Sequence, residues 1–381
     1  MSDLTTALAI IAAMLALAGL VQAFVGWRAV VSFGRHRSGV GTHRPGITIL
    51  KPLHGTEPLL EEALATFCTQ DYPEYQIVFG LQDRTDPALH VIRRLIARFP
   101  DVDIDVVINP AQHGCNRKIG NLINMYPAAR HDVIVIADSD IHAAPDYLDC
   151  LSDALRQPGT GLATTLYTGI ASSPAWAARL GVSQINHTFL PGALMARSLG
   201  RRDCLGATMA LTREMLDAVG GFSELVHHLA DDAVLGQLVR ARGYEVTLAG
   251  TVPATTVPEQ RLPPLFAHEL RWARTIQSLA QVGFALSSIQ FPLFWAGLAI
   301  VLSGADEWCI ALFGAIWLVR ALVTFGIDRS LGLAPALPIW LLPFRDLLSV
   351  AVILASYGGT DVAWRGHVLT ASAPSLASGK G

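Results

Sequence analysis

The stretch Asp132-Val133-Ile134-Val135-Ile136-Ala137-Asp138-Ser139-Asp140-Ile141 decides the fold. Its β-branched run Val133–Ala137 is short, lacks polar alternation, and reads as a strand buried on both faces. The run ends abruptly in Asp138 and Asp140, just past the carboxyl end of the strand, where open α/β sheets bind ligands. Residues two apart in an extended segment point the same way, so both carboxylates are expected to reach one cation. A hard divalent ion with oxygen ligands, Mg2+ or Mn2+, is the natural occupant, and such ions usually also hold substrate phosphates. The competing reading is a surface turn, because Asp and Ser are ordinary turn residues.

Outward from this strand the chain alternates. Residues 47–51, 76–81 and 104–108 read as strands, and 57–69, 87–99 and 119–125 as helices. Pro87 suits a first helical position, and acidic residues open the helix from 57 as the helix dipole favours. This alternation implies a mostly parallel sheet with right-handed crossovers. The second strand runs into Gln82-Asp83-Arg84-Thr85-Asp86-Pro87, so acidic residues recur at the carboxyl ends of two strands. Downstream, 162–167 and 206–211 read as strands, the latter leading into a helix over 212–219 closed by Gly220-Gly221. A further helix over 230–242 carries Asp231 and Asp232 in its first turn. Their mutual repulsion raises a carboxyl pKa, whereas the helix N-terminus lowers it, and the two effects oppose each other.

Composition sets the class. Of 381 residues 51% are hydrophobic and only 15% charged, and the mean hydropathy is +0.40. That balance points to membrane segments beside a folded domain. A formal net charge of −3 supplies no basic field for nucleic acid, so no nucleic-acid partner is expected. Five scattered cysteines without CxxC spacing imply neither a disulfide framework nor structural zinc. His113 and His227-His228 likewise lack zinc-ligand spacing.

Residues 7–26 are uncharged and, as a helix of about 30 Å, long enough to cross a bilayer. The leader Met-Ser-Asp lacks a signal peptide's positive charge, which predicts an uncleaved anchor. Arg28, Arg35, Arg37, Arg44 and Lys51 follow, placing the downstream domain on the cytoplasmic side. Three apolar stretches close the chain, at 282–302, 308–325 (interrupted by Arg320) and 335–357 (interrupted by Arg345-Asp346). Charges inside such segments are costly and mark function. Adjacent residues on a helix do not face each other, so Arg345 and Asp346 are expected to have separate partners. The last stretch is expected either to span the bilayer or to be re-entrant. Leu262–Leu279 mixes Leu, Phe, Trp and Arg around His268-Glu269-Leu270-Arg271-Trp272-Ala273-Arg274 and reads as an amphipathic helix at the membrane surface. The expected division is an anchor (1–27), an α/β catalytic domain (28–260), an interfacial helix (261–280), transmembrane or re-entrant helices (281–358), and a tail (359–381) whose last dozen residues fray.

The order Asp83/Asp86, Asp138-x-Asp140, Asp231-Asp232 and Arg271-Trp272 resembles the signature of the family 2 and ceramide glucosyltransferase-type family 21 glycosyltransferases. The resemblance covers roughly residues 46–274. It extends to Leu50-Lys51-Pro52-Leu53-His54-Gly55, Asn116-Arg117-Lys118-Ile119-Gly120-Asn121-Leu122 and Ala230-Asp231-Asp232, and is nearest to ceramide glucosyltransferases and bacterial hopanoid-associated glycosyltransferases. It implies a GT-A fold, a UDP-sugar donor, a lipid acceptor and an Mg2+ or Mn2+ cofactor. Position by position, Asp86 with Asp83 matches the uridine-contacting aspartate, Asp138 and Asp140 the metal pair, and Asp232 the general base. Arg271 and Trp272 match the pair that steadies the diphosphate and lines the acceptor entrance; Lys51 and Lys118 are further donor-side candidates. The signature's first Gln or Arg is His268 here, a departure from the family pattern.

The implied reaction is inverting transfer of glucose or N-acetylglucosamine from a UDP-sugar to a polyhydroxylated hopanoid, or next to ceramide, at a bacterial cytoplasmic membrane. Its rivals are a family 2 polysaccharide synthase and a non-catalytic nucleotide-binding membrane scaffold. Three C-terminal spans are few for a polymer-translocating pore.

Overall fold

The computed structural model describes residues 3–35, 44–359, 361–364 and 367–370. In chain order its elements begin with α1 (Asp3–Arg35), β1 (Ile47–Pro52), α2 (Leu60–Phe67), β2 (Tyr75–Leu81), α3 (Ala88–Arg98), β3 (Asp103–Ile108), α4 (Arg117–Met125), β4 (Val133–Ala137) and β5 (Ile141–His142). They continue with α5 (Tyr147–Leu155), β6 (Thr160–Thr164), β7 (Thr168–Ala171), α6 (Trp176–Gln184), α7 (Leu190–Ser198), β8 (Thr208–Thr212), α8 (Arg213–Ala218), α9 (Asp231–Ala241), β9 (Glu245–Leu248) and β10 (Ala254–Val257). The chain closes with α10 (Leu262–Leu279), α11 (Gln281–Leu286), α12 (Pro292–Ser303), α13 (Glu307–Ser330), α14 (Leu342–Ser356) and the hairpin β11 (Asp361–Trp364) and β12 (His367–Thr370).

The chain forms two units, one of residues 36–172 and 199–258, the other of 1–35, 173–198 and 259–381. The first is an α/β domain. Its seven-stranded sheet has the order β3-β2-β1-β4-β8-β6-β9, parallel from β3 to β4, with β8 antiparallel to both its neighbours. β4 lies between β1 and β8 and is buried along its whole length, as its unalternating β-branched sequence requires. A smaller sheet, β5-β10-β7, follows directly after β4. Apolar clusters cover both faces of the large sheet, one built on Phe67, Phe79 and Leu151, the other on Leu50, Met209 and Leu235. Gly80 in β2 lets α4 lie close, since a Cβ there would stand 2.1 Å from Met125 Sδ. That packing fixes the helix which carries Lys118.

Several boundaries move for local reasons. The helix expected from 57 starts at Leu60, because Leu59 takes a left-handed conformation (φ 59°) just before it. The strand expected at 162–167 is β6, which ends at Thr164; β7 starts separately at Thr168. Ser139 and Asp140 form a turn rather than continuing the strand, so the two-apart argument for Asp138 and Asp140 does not hold.

In the second unit, three helical segments are long and apolar enough to cross a membrane: 3–34, Glu307–Ser330 and 339–356. α1 runs well past the expected end at 27, since Trp27 to Arg35 contains no helix breaker except Gly34. The stretch 282–302 is not one straight span but a helix pair bent by 72°. The bend falls at Phe291-Pro292, where proline lacks an amide hydrogen and starts a new helix. Residues 173–198 belong to this unit, although the sequence assigned them to the catalytic domain. Their helices α6 and α7 are joined by a π-helical turn, Ile185–Phe189. The expected tail opens with the β11–β12 hairpin, and residues 371–381 lie outside those described.

Candidate active site

The carboxyl ends of β1, β2 and β4 lie side by side, because β1 pairs in parallel with both others. Asp138 leaves the end of β4 and its Oδ1 accepts from Lys118 Nζ at 2.6 Å. Lys118 sits in the first turn of α4, whose N-cap is Asn116: Asn116 Oδ1 accepts from the Ile119 N–H at 3.1 Å. The Asn116 amide also donates to His228 O at 2.8 Å and Asp231 Oδ1 at 3.2 Å. One asparagine therefore ties the start of α4 to the start of α9. Lys118 Nζ stands 4.0 Å from Asp231 Oδ2 and donates to Gly206 O at 3.3 Å. Asp232, next on α9, accepts from the Ala233 N–H at 2.8 Å and lies over Gly206, where a Cβ would come within 3.0 Å of its Oδ2. Residues 118, 138, 206, 231 and 232, far apart in sequence, thus form one cluster.

Its electrostatics follow from burial. Burial opposes the charge of Lys118, but Asp138 and Asp231 outweigh it and hold the ammonium above its ordinary range. The Asp232 carboxyl is pushed up to about 6, first by burial and then by the charge of Asp231. Asp231 is raised too, mainly by burial, against the pull of Lys118. Here desolvation outweighs the helix N-terminus.

Asp140 points elsewhere: its Oδ2 accepts from Thr255 Oγ1 at 2.6 Å, and the Thr256 N–H donates to its carbonyl. Burial, then the charge of Asp138, lifts its carboxyl to about 6. Among the described residues no three His, Cys, Asp or Glu side chains are grouped to hold a metal.

Lys51 corrects an expectation. It is fully buried, donates to Asp138 O at 2.5 Å, and lies 3.8 Å from the Phe67 ring centroid. Burial lowers its pKa to about 7. It braces the backbone beneath Asp138 and lies under the charges of Asp140 and Asp138. Asp86 and Asp83 are engaged locally. Asp86 accepts from the Gly55 and Ala88 N–H groups, and Asp83 accepts from the Thr85 N–H and hydroxyl. The first pins the β1 loop to the β2 loop; the second is a turn residue.

Arg271 and Trp272 lie in α10, within the other unit. There His268 Nδ1 pairs with Glu259 Oε1 at 2.5 Å, and its ring meets Trp272 edge-on at 4.6 Å. Glu269 is buried and receives Arg345 bidentately at 2.8 and 2.7 Å. Arg345 also donates to Leu180 O and Ser349 Oγ, while Asp346 turns away to the Leu293 N–H and, at 4.0 Å, to Arg320. The separate partners expected for Arg345 and Asp346 are therefore found. Glu269 and Asn116 were not singled out from the sequence. The capping position of Asn116 ahead of an apolar-periodic helix is the local signal for it.

The family model described as Glycosyl transferase family 21 matches residues 6–375. Among curated relatives, Ceramide glucosyltransferase 1 of Caenorhabditis elegans is 26% identical over 55% of this chain and 45% of its own. Ceramide glucosyltransferase of Komagataella phaffii is 34% identical over 29% of this chain and 23% of its own. An N-acetylglucosaminyltransferase of Rhizobium leguminosarum bv. viciae is 22% identical over 61% and 55%. The matches span about half or less of these relatives' length. Among solved structures, the mannosyltransferase PcManGT from Pyrobaculum calidifontis, in complex with GDP-Man and Mn2+, superposes with a TM-score of 0.52 at 19% identity, over 92% of this chain and 99% of that one.

Proposed function

This chain belongs to glycosyl transferase family 21, and we propose that it moves a hexose from a UDP-sugar to a lipid hydroxyl by inverting displacement. The observation that carries this reading is the half-buried Lys118–Asp138–Asp231–Asp232 cluster at the carboxyl edge of a GT-A sheet. Displacing UDP from the sugar C1 builds negative charge on the leaving phosphate oxygen, and a fixed ammonium in a low-dielectric site stabilises it. The acceptor oxygen bonds to C1 as the C1–phosphate oxygen bond breaks. Its proton passes to Asp232, whose raised pKa suits a base working near neutral pH. The bond electrons leave with UDP.

A divalent ion, Mg2+ or Mn2+, would be held here by Asp138, the Asp140 carboxyl being turned to Thr255. Burial and then the charge of Asp138 raise the Asp140 carboxyl, and added positive charge would relieve the second of these. With so few protein ligands, the donor phosphates complete such a site. When bound, the ion would neutralise the diphosphate. The family resemblance assigns Arg271 to that diphosphate and Trp272 to the acceptor entrance.

Helices long and apolar enough to span support membrane anchorage, and the basic residues after α1 support a catalytic unit on the cytoplasmic face, in a bacterium the inner membrane. The ceramide glucosyltransferases among the relatives favour glucose and a ceramide-like acceptor. Likeness at Ile185-Asn186-His187 and Arg271-Trp272-Ala273-Arg274 favours N-acetylglucosamine and a polyhydroxylated hopanoid as the second reading. The test is UDP release by purified protein with UDP-glucose or UDP-N-acetylglucosamine, Mn2+ or Mg2+, and either lipid. Release only with lipid present supports the reading; donor binding without release under any combination leaves a nucleotide-binding scaffold.

A further inference from the structure

Two charges interrupt the apolar helix α14, and the proposed reaction gives neither of them a task. Asp346 fastens α14 to two neighbours. Its Oδ2 accepts from the Leu293 N–H in the first turn of α12 at 3.1 Å, and its Oδ1 faces Arg320 of α13 at 4.0 Å. Arg345, about 100° further round the helix, reaches a different pair. It is 1% exposed and donates to both carboxylate oxygens of Glu269 in α10, to Leu180 O in α6 at 3.2 Å and to Ser349 Oγ at 3.0 Å.

Glu269 is an unexpected residue for its place. α10 buries one stripe, Leu265, Glu269 and Ala273, at intervals of four, and the first and last of these pack into apolar clusters. Apolar residues of similar volume at 269 and 345 would fill the same space without desolvating two charges. They would not fix an angle. Apolar burial is non-directional, and Ala273 has no side chain long enough to interlock. A bidentate guanidinium–carboxylate pair adds geometric specificity and so sets the roll of α10 about its axis. The roll matters because His268 and Trp272 lie on either side of Glu269 in the same helix. Their rings meet edge-on at 4.6 Å, and His268 Nδ1 is held by Glu259 Oε1. With side chains about 5–6 Å from the helix axis, a roll of about 10° carries one of them through about 1 Å.

We propose that Glu269 and Arg345 are positioning residues for the acceptor side of the reaction: the pair pins the roll of α10 and thereby the place of Trp272. The acceptor-side role of Trp272 rests on the proposed function; the pin does not. The test uses full-length protein in detergent, labelled with 5-fluorotryptophan. Of its eight tryptophan fluorine resonances, the one missing in Trp272→Phe belongs to Trp272. Glu269→Leu with Arg345→Met removes both charges at similar volume, so its Tm should return close to the parent's. Its Trp272 resonance should nevertheless shift or broaden, while that of Trp308, at the start of α13, stays in place. The KM for lipid should rise at least about tenfold at unchanged KM for UDP-sugar, since a displacement of about 1 Å costs on the order of a hundredfold. In a Trp272→Ala background the same two substitutions should raise it no further, which a general loss of structure would not reproduce. Arg345→Lys keeps the charge but cannot form two parallel bonds, so it too should move the Trp272 resonance, and it serves if the double variant does not fold. A Trp272 resonance at its parent position in either folded variant overturns the proposal, as does a lipid KM that rises equally with and without Trp272. A moved resonance at unchanged lipid KM leaves the pin standing and removes Trp272 from the acceptor side. If no lipid supports UDP release, the proposed reaction fails and the resonance alone decides the pin.

Discussion

Removing either partner of the Glu269–Arg345 pair should destabilise the helical unit far more than removing both. Arg345 donates twice to Glu269 and once each to Leu180 O and Ser349 Oγ, and both residues are buried. Breaking a buried ion pair from one side costs about 3–5 kcal/mol, chiefly because a desolvated charge is left without its partner. Two charge-assisted hydrogen bonds at about 1.5–3 kcal/mol each give the same range. For a folding unit of this size, that is a fall in Tm of roughly 6–20 °C. The two sides are unequal. A lone carboxyl group can take up a proton, whereas a guanidinium cannot lose one, so Glu269→Leu should cost more than Arg345→Met. The double variant removes both charges with similar volume and should recover to within about 1–2 kcal/mol of the parent. The assay is thermal unfolding of the four proteins in one detergent, read as a double-mutant cycle. Two small, additive losses would refute the reasoning, because they would mean that the pair is not closed in the folded protein.

Asp232→Asn should abolish transfer while leaving UDP-sugar binding by calorimetry intact; loss of binding equal to the loss of turnover would remove Asp232 as the base. Because Asp232 must be ionised to act and its carboxyl is held at about 6, kcat/KM should fall tenfold per unit as pH drops below about 6. Asp231→Asn, by deleting the like charge beside it, should move that limb to lower pH. Asp138→Ala should abolish Mn2+-dependent donor binding, and an unchanged Mn2+ titration would end the metal assignment. Trp272→Ala should raise the KM for lipid more than that for UDP-sugar; the reverse pattern would move it to the donor side.

The strand–helix alternation was legible because its signals are local. A β-branched run without alternation is a central strand wherever it occurs, and β4 is one. The ends of elements were less legible, since a left-handed Leu59 or a turn at Ser139-Asp140 depends on what the loop meets in space. Lys51 shows the limit most clearly. At the end of an apolar strand a lysine reads as a surface charge, and the carbonyl of Asp138, 87 residues on, the ring of Phe67 and the charges of Asp140, Asp138 and Glu57 make its burial tolerable. The charges at 320, 345 and 346 were visible as anomalies in apolar helices. Their partners were not, because Glu269 lies outside those stretches and pairs with Arg345 across a separation of 76 residues. Residues 173–198 carry no strong apolar run, so nothing in them announced that they pack with the apolar helices.

The adjacent acids Asp231 and Asp232 illustrate how a fold divides chemically identical neighbours. Asp231 has one oxygen held by Asn116 and its charge opposed by Lys118, so it is committed to joining α9 to α4. Asp232 spends one oxygen on the N–H of the next residue and lays the other across Gly206, where only a residue without a side chain leaves room. A proton acceptor needs a pKa near working pH, and burial together with the charge of Asp231 lifts the Asp232 carboxyl to about 6. The scaffold residue therefore tunes the reactive one, and an asparagine at 231 should alter the pH profile of transfer before it alters the fold.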